Sequence, residues 1–109
     1  MRDDEVSVVG VGMTPMDRRD QSAQSMTTAV VAEALSDAGL SPSDVGLVVM
    51  ANALGGRLLE QGCIRGQTWL REAGLGSCAV INVDNSCAGG SSAFHFGCLA
   101  ARAGESPVL

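Results

Sequence analysis

The sequence predicts an α/β protein in which helices cover both faces of a parallel sheet. Short apolar runs alternate with longer segments of helical periodicity, in the order βαβαβαβ. The apolar runs are hydrophobic throughout and do not alternate with polar residues, which is typical of strands buried on both faces of a parallel sheet. We therefore expect right-handed crossovers between successive strands.

The composition argues against several classes of function. The 109 residues have the size of one small domain, and 46% are hydrophobic against 17% charged, so we expect a single packed core. A net charge of -5, with one Trp and two Phe, argues against nucleic-acid binding. No signal peptide opens the chain and no segment approaches the roughly 20 apolar residues of a membrane span. We therefore expect a cytoplasmic protein that does not contact a membrane.

The cysteines do not form a metal-binding pattern. No CxxC pair occurs among the four cysteines, which are Cys63, Cys78, Cys87 and Cys98, and His95 is the only histidine. A chain without a secretion signal keeps its thiols reduced, so disulfides are not expected either. The sequence therefore predicts neither a metal site nor a tightly bound cofactor.

The first half of the chain contains two predicted strands and the clearest helix. Val6–Met13 is a β-branched apolar run that ends in a turn, and it is the first predicted strand. Helical spacing of apolar residues then predicts a helix with Ser22 or Ser25 as its N-cap and Gly39 as its stop. A second apolar strand is predicted at Val45–Ala51.

The second half continues the alternation. Gly62–Ala73 is predicted to be the second helix, Cys78–Val83 the third strand, and Cys87–Ala103 the third helix. Pro107–Leu109 is interpreted as the opening of a fourth strand. A sheet cut there has an unpaired edge, so residues 1–109 are expected to form a partial domain that needs a second chain or a continuation.

Cys87 stands where the third strand gives way to the third helix. Unpaired amides and the positive end of the helix dipole stabilise a cysteine thiolate at such a point, and they can also bind a developing oxyanion. Ala88, Gly89 and Gly90 leave room for a thioester and its pantetheine arm. The same position also suits a buried structural cysteine, because cysteine is among the most often buried residue types.

Three segments resemble the amino-terminal half of the thiolase superfamily, in particular the sterol-carrier-protein type of lipid-transfer-protein-like thiolases. They are VSVVGVGMTPM, VAEALSDAGLSPSDVGLVV and NVDNSCAGGSSAFHFGCLAARAGESPVL, and they occur in the family's order. The resemblance implies that Cys87 is the nucleophile acylated by an acyl-CoA, and that its own amide helps to hold the thioester oxygen. It also implies a dimer through the strand Ile81–Asn85, CoA thioester as substrate and a role in lipid metabolism.

The resemblance also implies that part of the catalytic machinery lies elsewhere. The family's catalytic histidine and second cysteine belong to a Gly-Asn-His-Pro type loop and a Cys-x-Gly loop, and this sequence contains neither motif. His95 lies eight positions beyond Cys87, about 12 Å along a helix, which is too far for a general base. The chain is therefore expected to be the nucleophile-bearing part of a thiolase-like acyltransferase that is inactive without a complementary chain.

Two alternatives remain open at this point. A ketosynthase-like condensing or acyl-transfer component shares the geometry of a cysteine at a helix, and a non-catalytic assembly subunit would keep Cys87 without using it. Carbon–carbon cleavage, condensation and retro-aldol cleavage are all compatible with the resemblance. Arg18 or Arg19 is a candidate for contact with a CoA phosphate, and the loop Leu54–Gly62 for part of an acyl pocket or a subunit contact.

Overall fold

A computed structural model describes residues 5–17 and 20–109, so Arg18 and Arg19 lie outside the described residues. The described chain forms two strands, four α-helices and two 3₁₀ turns. None of the described helices is both long enough and apolar enough to cross a bilayer. In chain order the elements are α1 (Ala23–Ala38), the 3₁₀ turn Pro42–Asp44, β1 (Leu47–Ala51), α2 (Gly55–Leu58), α3 (Arg65–Trp69), β2 (Ala79–Val83), the 3₁₀ turn Ser86–Ala88 and α4 (Gly89–Arg102).

The two strands form a parallel sheet in register along their whole length. Leu47 pairs with Ala79 at one end, and Ala51 pairs with Val83 at the other. Parallel strands need a crossover connection, and the segment that contains α2 and α3 provides it. The predicted α/β class with a parallel sheet is confirmed.

Helices cover both faces of this sheet. A Cβ atom on Gly66 of α3 would lie 2.6 Å from Val80 Cγ1 and 2.9 Å from Met50 Cβ, so the α3 backbone rests directly on one face. On the opposite face, a Cβ atom on Gly89 of α4 would lie 3.3 Å from Ala51 Cβ. Because successive strand residues point to opposite faces, Met50 and Ala51 mark the two sides. The predicted covering of both faces is confirmed.

The core around this sheet is small. The buried apolar side chains of the described residues are those of Leu47, Trp69, Leu70 and Leu75. Many other large apolar side chains stay exposed, which is expected when a partial domain buries only part of its hydrophobic surface.

Helix α1 owes its limits to local capping. Ser22 Oγ accepts the amide of Ser25 at 3.1 Å, so Ser22 is the N-cap of the two serines considered. Gly39 adopts a left-handed conformation with φ of 68° and donates its amide to the carbonyls of Leu35 and Ser36. The predicted helix is confirmed at both ends.

Removal of this N-cap should weaken the fold measurably. We expect Ser22→Ala to lower the free energy of unfolding by about 1 kcal/mol, because an amide of the first turn loses its acceptor. Urea unfolding followed by far-UV circular dichroism measures the change. Ser36→Ala, on the exposed surface of the last turn of α1, is the matched control and should leave stability nearly unchanged. Equal effects of the two substitutions would contradict the capping role.

Val6–Met13 is not a strand, so this prediction was wrong. The segment lies along α1, where the Val11 amide donates to Asp37 Oδ2 at 3.0 Å and the Met13 amide donates to Glu33 Oε2 at 3.2 Å. Carboxylates on α1 therefore accept backbone amides that, in a strand, would donate to the carbonyls of a neighbouring strand. The β-branched run remains largely exposed as a consequence.

Pro107–Leu109 is likewise not a strand, contrary to the prediction. A single backbone hydrogen bond, from the Gly46 amide to the Val108 carbonyl at 3.1 Å, joins this segment to the chain just before β1. Pro107 has no amide to donate to a ladder. The predicted order of four strands is therefore reduced, within the described residues, to one parallel pair.

Two predicted helices begin later than the periodicity indicates. The helix predicted at Gly62–Ala73 is confined to α3, because the preceding Ile64 has a left-handed φ of 41° that cannot belong to a helix. The helix predicted at Cys87–Ala103 begins at Gly89, and a 3₁₀ turn precedes it. This second difference fixes the environment of Cys87.

Candidate active site

Cys87 lies at the carboxyl edge of the sheet, between β2 and α4. It is the middle residue of the 3₁₀ turn Ser86–Ala88, two residues before Gly89 opens α4. The Cys87 side chain is exposed. Within the described residues it is therefore not a buried core cysteine.

The backbone turns sharply just before this cysteine. Ser86 has a positive φ of 47°, an uncommon conformation for a residue with a side chain. Asp84 Oδ1 accepts the Ser86 amide at 3.4 Å, and the Asn85 carbonyl accepts the Ala88 amide at 2.9 Å. The Asn85 side-chain amide donates to Ser92 Oγ at 2.8 Å, which joins the turn to α4. We call residues 84–88 the elbow.

The first turn of α4 has open space beside it, and no N-cap side chain accepts its amides, although the Gly89 amide donates to the Ser86 carbonyl. Its N-cap is Ala88, which has no side-chain oxygen to accept them, and the nearby Ser91 hydroxyl donates to the Ala88 carbonyl at 3.0 Å. A Cβ atom on Gly90 would meet nothing within 4 Å. An oxygen that develops negative charge near Cys87 could therefore approach the positive end of the helix dipole.

A small cavity of about 80 Å³ lies at the same edge of the sheet. Asn52, Arg65 and Asp84 are among the residues that line it, together with apolar atoms of Met50 and Ile64. Ligand pockets commonly have volumes of about 300–1,000 Å³. This cavity is therefore too small to hold an acyl chain with its pantetheine arm.

Arg65 connects the ends of the two strands. Its Nη1 donates to the carbonyl of Asn52, the residue after β1, and its Nη2 lies 3.6 Å from Asp84 Oδ2 just beyond β2. Asn52 Oδ1 in turn accepts the amides of Leu54 at 3.1 Å and Gly55 at 2.5 Å. This cluster was not predicted from the sequence, although Asn52 and Asp84 directly follow apolar strands and the carboxyl ends of parallel strands share one edge.

A second group of side-chain bonds fixes α3 on the sheet. Asn82 Oδ1 accepts the Gly66 amide at 2.7 Å, and Asn82 Nδ2 donates to Gln67 Oε1 at 2.7 Å. Gln67 Nε2 donates to the Val80 carbonyl at 3.2 Å. These bonds hold the start of α3, and with it Arg65, in a defined position relative to β2.

The remaining titratable candidates lie apart from the elbow. His95 is exposed on α4 with its ring edge-on to that of Phe96, 5.9 Å between centroids. All four cysteines are free thiols, and Cys78 Sγ donates to the Leu75 carbonyl at 3.0 Å. No group of three His, Cys, Asp or Glu side chains suited to a metal ion occurs within residues 5–17 and 20–109.

The segment Leu54–Gly62 contains the short helix α2. Leu54, Leu58 and Leu59 are exposed, and Gly62 lines the small cavity. Its expected role as part of an acyl pocket or of a subunit contact stays a prediction.

The described chain is an α/β domain that carries an exposed cysteine between a strand and a helix. Residues 6–109 match the thiolase N-terminal domain family. The chain therefore belongs to this family, and its resemblance to the amino-terminal half of thiolases is confirmed.

Two known proteins illustrate this relationship. The chain is 32% identical to Non-specific lipid-transfer protein-like 2 of Caenorhabditis elegans over 114 aligned positions, which cover 96% of the chain and 25% of that protein. Its fold is similar to that of the priming β-ketosynthase from the R1128 polyketide biosynthetic pathway, with a TM-score of 0.61 and 24% identity. That match covers 82% of the chain and 26% of the ketosynthase. The chain thus spans about a quarter of the length of either protein.

Proposed function

We propose that this chain is the nucleophile-bearing part of a thiolase-like acyltransferase, with Cys87 as the nucleophile. The observation that carries the proposal is the exposure of Cys87 at the elbow between β2 and α4. Membership of the thiolase N-terminal domain family supports chemistry on acyl thioesters. The proposed substrate is an acyl-CoA, and no further cofactor takes part in the step described below.

The proposed step is transfer of an acyl group to sulfur. The Cys87 thiolate attacks the carbonyl carbon of the thioester, a new carbon–sulfur bond forms, and the bond to the CoA sulfur breaks. CoA leaves as a thiolate that takes up a proton, so the products are acyl-Cys87 and free CoA. The Cys87 amide donates to the oxygen of the tetrahedral intermediate, and the positive end of the α4 dipole stabilises its charge.

The proposal assigns the remaining groups to a complementary polypeptide or to a continuation of the chain. The cavity at the sheet edge is too small for the acyl group, and the histidine of this sequence lies well along α4. A partner would supply the acid and base and most of the acyl pocket. The dimer through Ile81–Asn85 is part of the same proposal, supported by the 48% exposure of the Ile81 side chain at the centre of β2.

Acylation of the protein by acyl-CoA tests this function directly. The full chain, alone and mixed with the polypeptide that completes it, is incubated with acetyl-CoA and with a longer acyl-CoA. We expect intact-mass measurement of the complex to show one added acyl group, and peptide mapping to place it on Cys87. Cys98→Ser, which removes a half-buried thiol of α4, is the matched control and should keep the label. A complex that never acquires label would favour the non-catalytic assembly subunit.

Product analysis separates the remaining reaction types. Release of a shortened acyl-CoA from a β-ketoacyl-CoA and free CoA indicates thiolysis. Net formation of a carbon–carbon bond indicates the ketosynthase-like condensing activity, and cleavage of a β-hydroxyacyl-CoA indicates a retro-aldol reaction. Thiolysis and condensation both pass through acyl-Cys87, so the label on Cys87 alone does not distinguish these two, whereas a retro-aldol cleavage forms no acyl-sulfur intermediate.

A further inference from the structure

We propose that Arg65 and Asp84 form a positioning pair that sets the reactivity of Cys87. This inference rests on the proposed role of Cys87 and extends it to two residues that do not themselves attack the substrate. The pair links α3 to the elbow, and we infer that this link fixes the backbone conformation before Cys87 and compensates the charge of Asp84.

The first step is the connection between α3 and the elbow. One guanidinium spans the ends of both strands, since Nη1 of Arg65 binds the Asn52 carbonyl and Nη2 lies 3.6 Å from Asp84 Oδ2. The other carboxylate oxygen, Asp84 Oδ1, accepts the amide of Ser86 at 3.4 Å. Contacts therefore run without interruption from α3 to the residue immediately before Cys87.

The second step concerns backbone conformation. Ser86 has its φ at 47°, and a residue with a side chain keeps such a conformation only when its surroundings hold it there. The Asp84 carboxylate holds the Ser86 amide, and Arg65 holds the carboxylate. Without Arg65 the carboxylate is free to turn into solvent, and Ser86 can relax toward negative φ. That relaxation would redirect the Cα–Cβ bond of Cys87.

The third step concerns charge. Asp84 lies three positions before the cysteine, and an uncompensated carboxylate nearby disfavours a thiolate. The Arg65 side chain is 18% exposed, whereas that of Asp84 is 60% exposed. The surrounding structure therefore holds the guanidinium in position, and the more exposed carboxylate pairs with it. Although the Arg65 side chain itself is largely buried, the carboxylate of this ion pair lies mostly in solvent, so the attraction between the two charges adds little to global stability. Its loss should therefore change the reactivity of Cys87 more than it changes folding.

Alkylation of the full chain by iodoacetamide measures this effect. The rate at each cysteine is read peptide by peptide at neutral pH, so that the half-buried Cys98 of α4 serves as an internal reference. We expect Arg65→Gln to slow alkylation of Cys87 by about five-fold in the folded protein, with the Cys98 rate unchanged. Arg65→Lys restores the charge and should recover most of the rate.

Two further variants make the assignment specific. Asp84→Asn removes the negative charge and keeps an acceptor for the Ser86 amide, so the Cys87 rate should stay close to that of the original chain. If the residues act as a pair, the double variant is no slower than Asp84→Asn alone, because the single effects are not additive. Arg71→Gln removes an exposed positive charge shortly after α3 and is the matched control, for which no change is expected.

An unchanged Cys87 rate in Arg65→Gln would overturn the pairing, as would equal slowing of Cys98 or failure of Arg65→Lys to recover the rate. If Arg65→Gln does not fold, Arg65→Lys and Asp84→Asn carry the same comparison. Alkylation needs no acyl-CoA. A chain whose Cys87 alkylation depends on Arg65 but which is never acylated in its complex would disprove the proposed function and leave the positioning pair standing.

Discussion

Replacement of Cys87 by alanine is expected to lower kcat/KM for acyl transfer by the completed enzyme by about 10⁴-fold or more. The reason is that the proposed reaction passes through a covalent acyl-sulfur intermediate, and loss of a nucleophile removes that route entirely. The rate enhancement that remains would come only from the oxyanion-binding amides and from substrate binding. Steady-state kinetics with an acyl-CoA, together with the mass measurement of the acyl adduct, determine the loss.

The exposed position of Cys87 makes this a clean experiment. A side chain in solvent contributes little to packing, so Cys87→Ala should fold and unfold like the original chain. Cys87→Ser keeps the shape of the side chain with a weaker nucleophile and should be nearly as inactive. Full activity of either variant would assign the chemistry to another residue and favour the role of a non-catalytic subunit.

The largest expected effect on stability concerns Gly66 of α3. We expect Gly66→Ala to lower the free energy of unfolding by about 2 kcal/mol, because its Cβ would lie 2.6 Å from Val80 Cγ1 and 2.9 Å from both Met50 Cβ and Asn82 Oδ1. All three neighbours are side-chain atoms of strand residues, but Met50 Cβ is bonded directly to the strand backbone and Val80 Cγ1 is one bond further out, so neither can simply swing away. The helix would have to lift from the sheet. Chemical denaturation of the full chain measures the cost.

A matched substitution gives the opposite sign. Gly97 lies within α4, and a Cβ there would meet nothing within 4 Å. Gly97→Ala should therefore raise stability by about 0.5–1 kcal/mol through helix propensity alone. If Gly66→Ala behaved like Gly97→Ala, α3 would not rest on the sheet as described.

A displaced α3 would also affect the site. The Gly66 amide donates to Asn82 Oδ1, and Arg65 is the preceding residue. Lifting α3 therefore moves the guanidinium away from Asp84. We expect slower alkylation of Cys87 in the folded fraction of Gly66→Ala, whereas Gly97→Ala should leave that rate unchanged.

Elements with local causes could be predicted from the sequence. Helix α1 begins and ends where a serine and a glycine provide caps, and both signals act within a few residues of the helix. The strands β1 and β2 were predicted because their apolar runs are continuous. The strand-to-helix junction that places Cys87 follows from the change between these two patterns.

Elements that depend on a distant partner could not be predicted in the same way. Val6–Met13 has the composition of a strand, but its amides find carboxylates on α1, and the local sequence does not specify that choice. The late start of α3 comes from the left-handed conformation of Ile64, for which a β-branched residue gives no warning. Both differences are decided by contacts that composition alone does not reveal.

The candidate site shows the same division. Cys87 was identified from small residues that are its neighbours in the chain. Arg65 and Asp84 meet across 19 positions, and only the parallel pairing of β1 with β2 brings the ends of these strands together. Polar residues that directly follow buried parallel strands gather at one edge of the sheet. This rule would have identified Asn52 and Asp84, but not Arg65, which contacts both.

The small core has a consequence for the lifetime of the chain in a cell. With few apolar side chains buried, local opening costs little free energy, and opened segments are cut by proteases before they reclose. Phe96 and Leu99 are exposed one turn apart on α4 and form an apolar stripe that chaperones would also engage. Any binding partner that shields this stripe protects the chain by mass action, so its abundance would follow that of the partner.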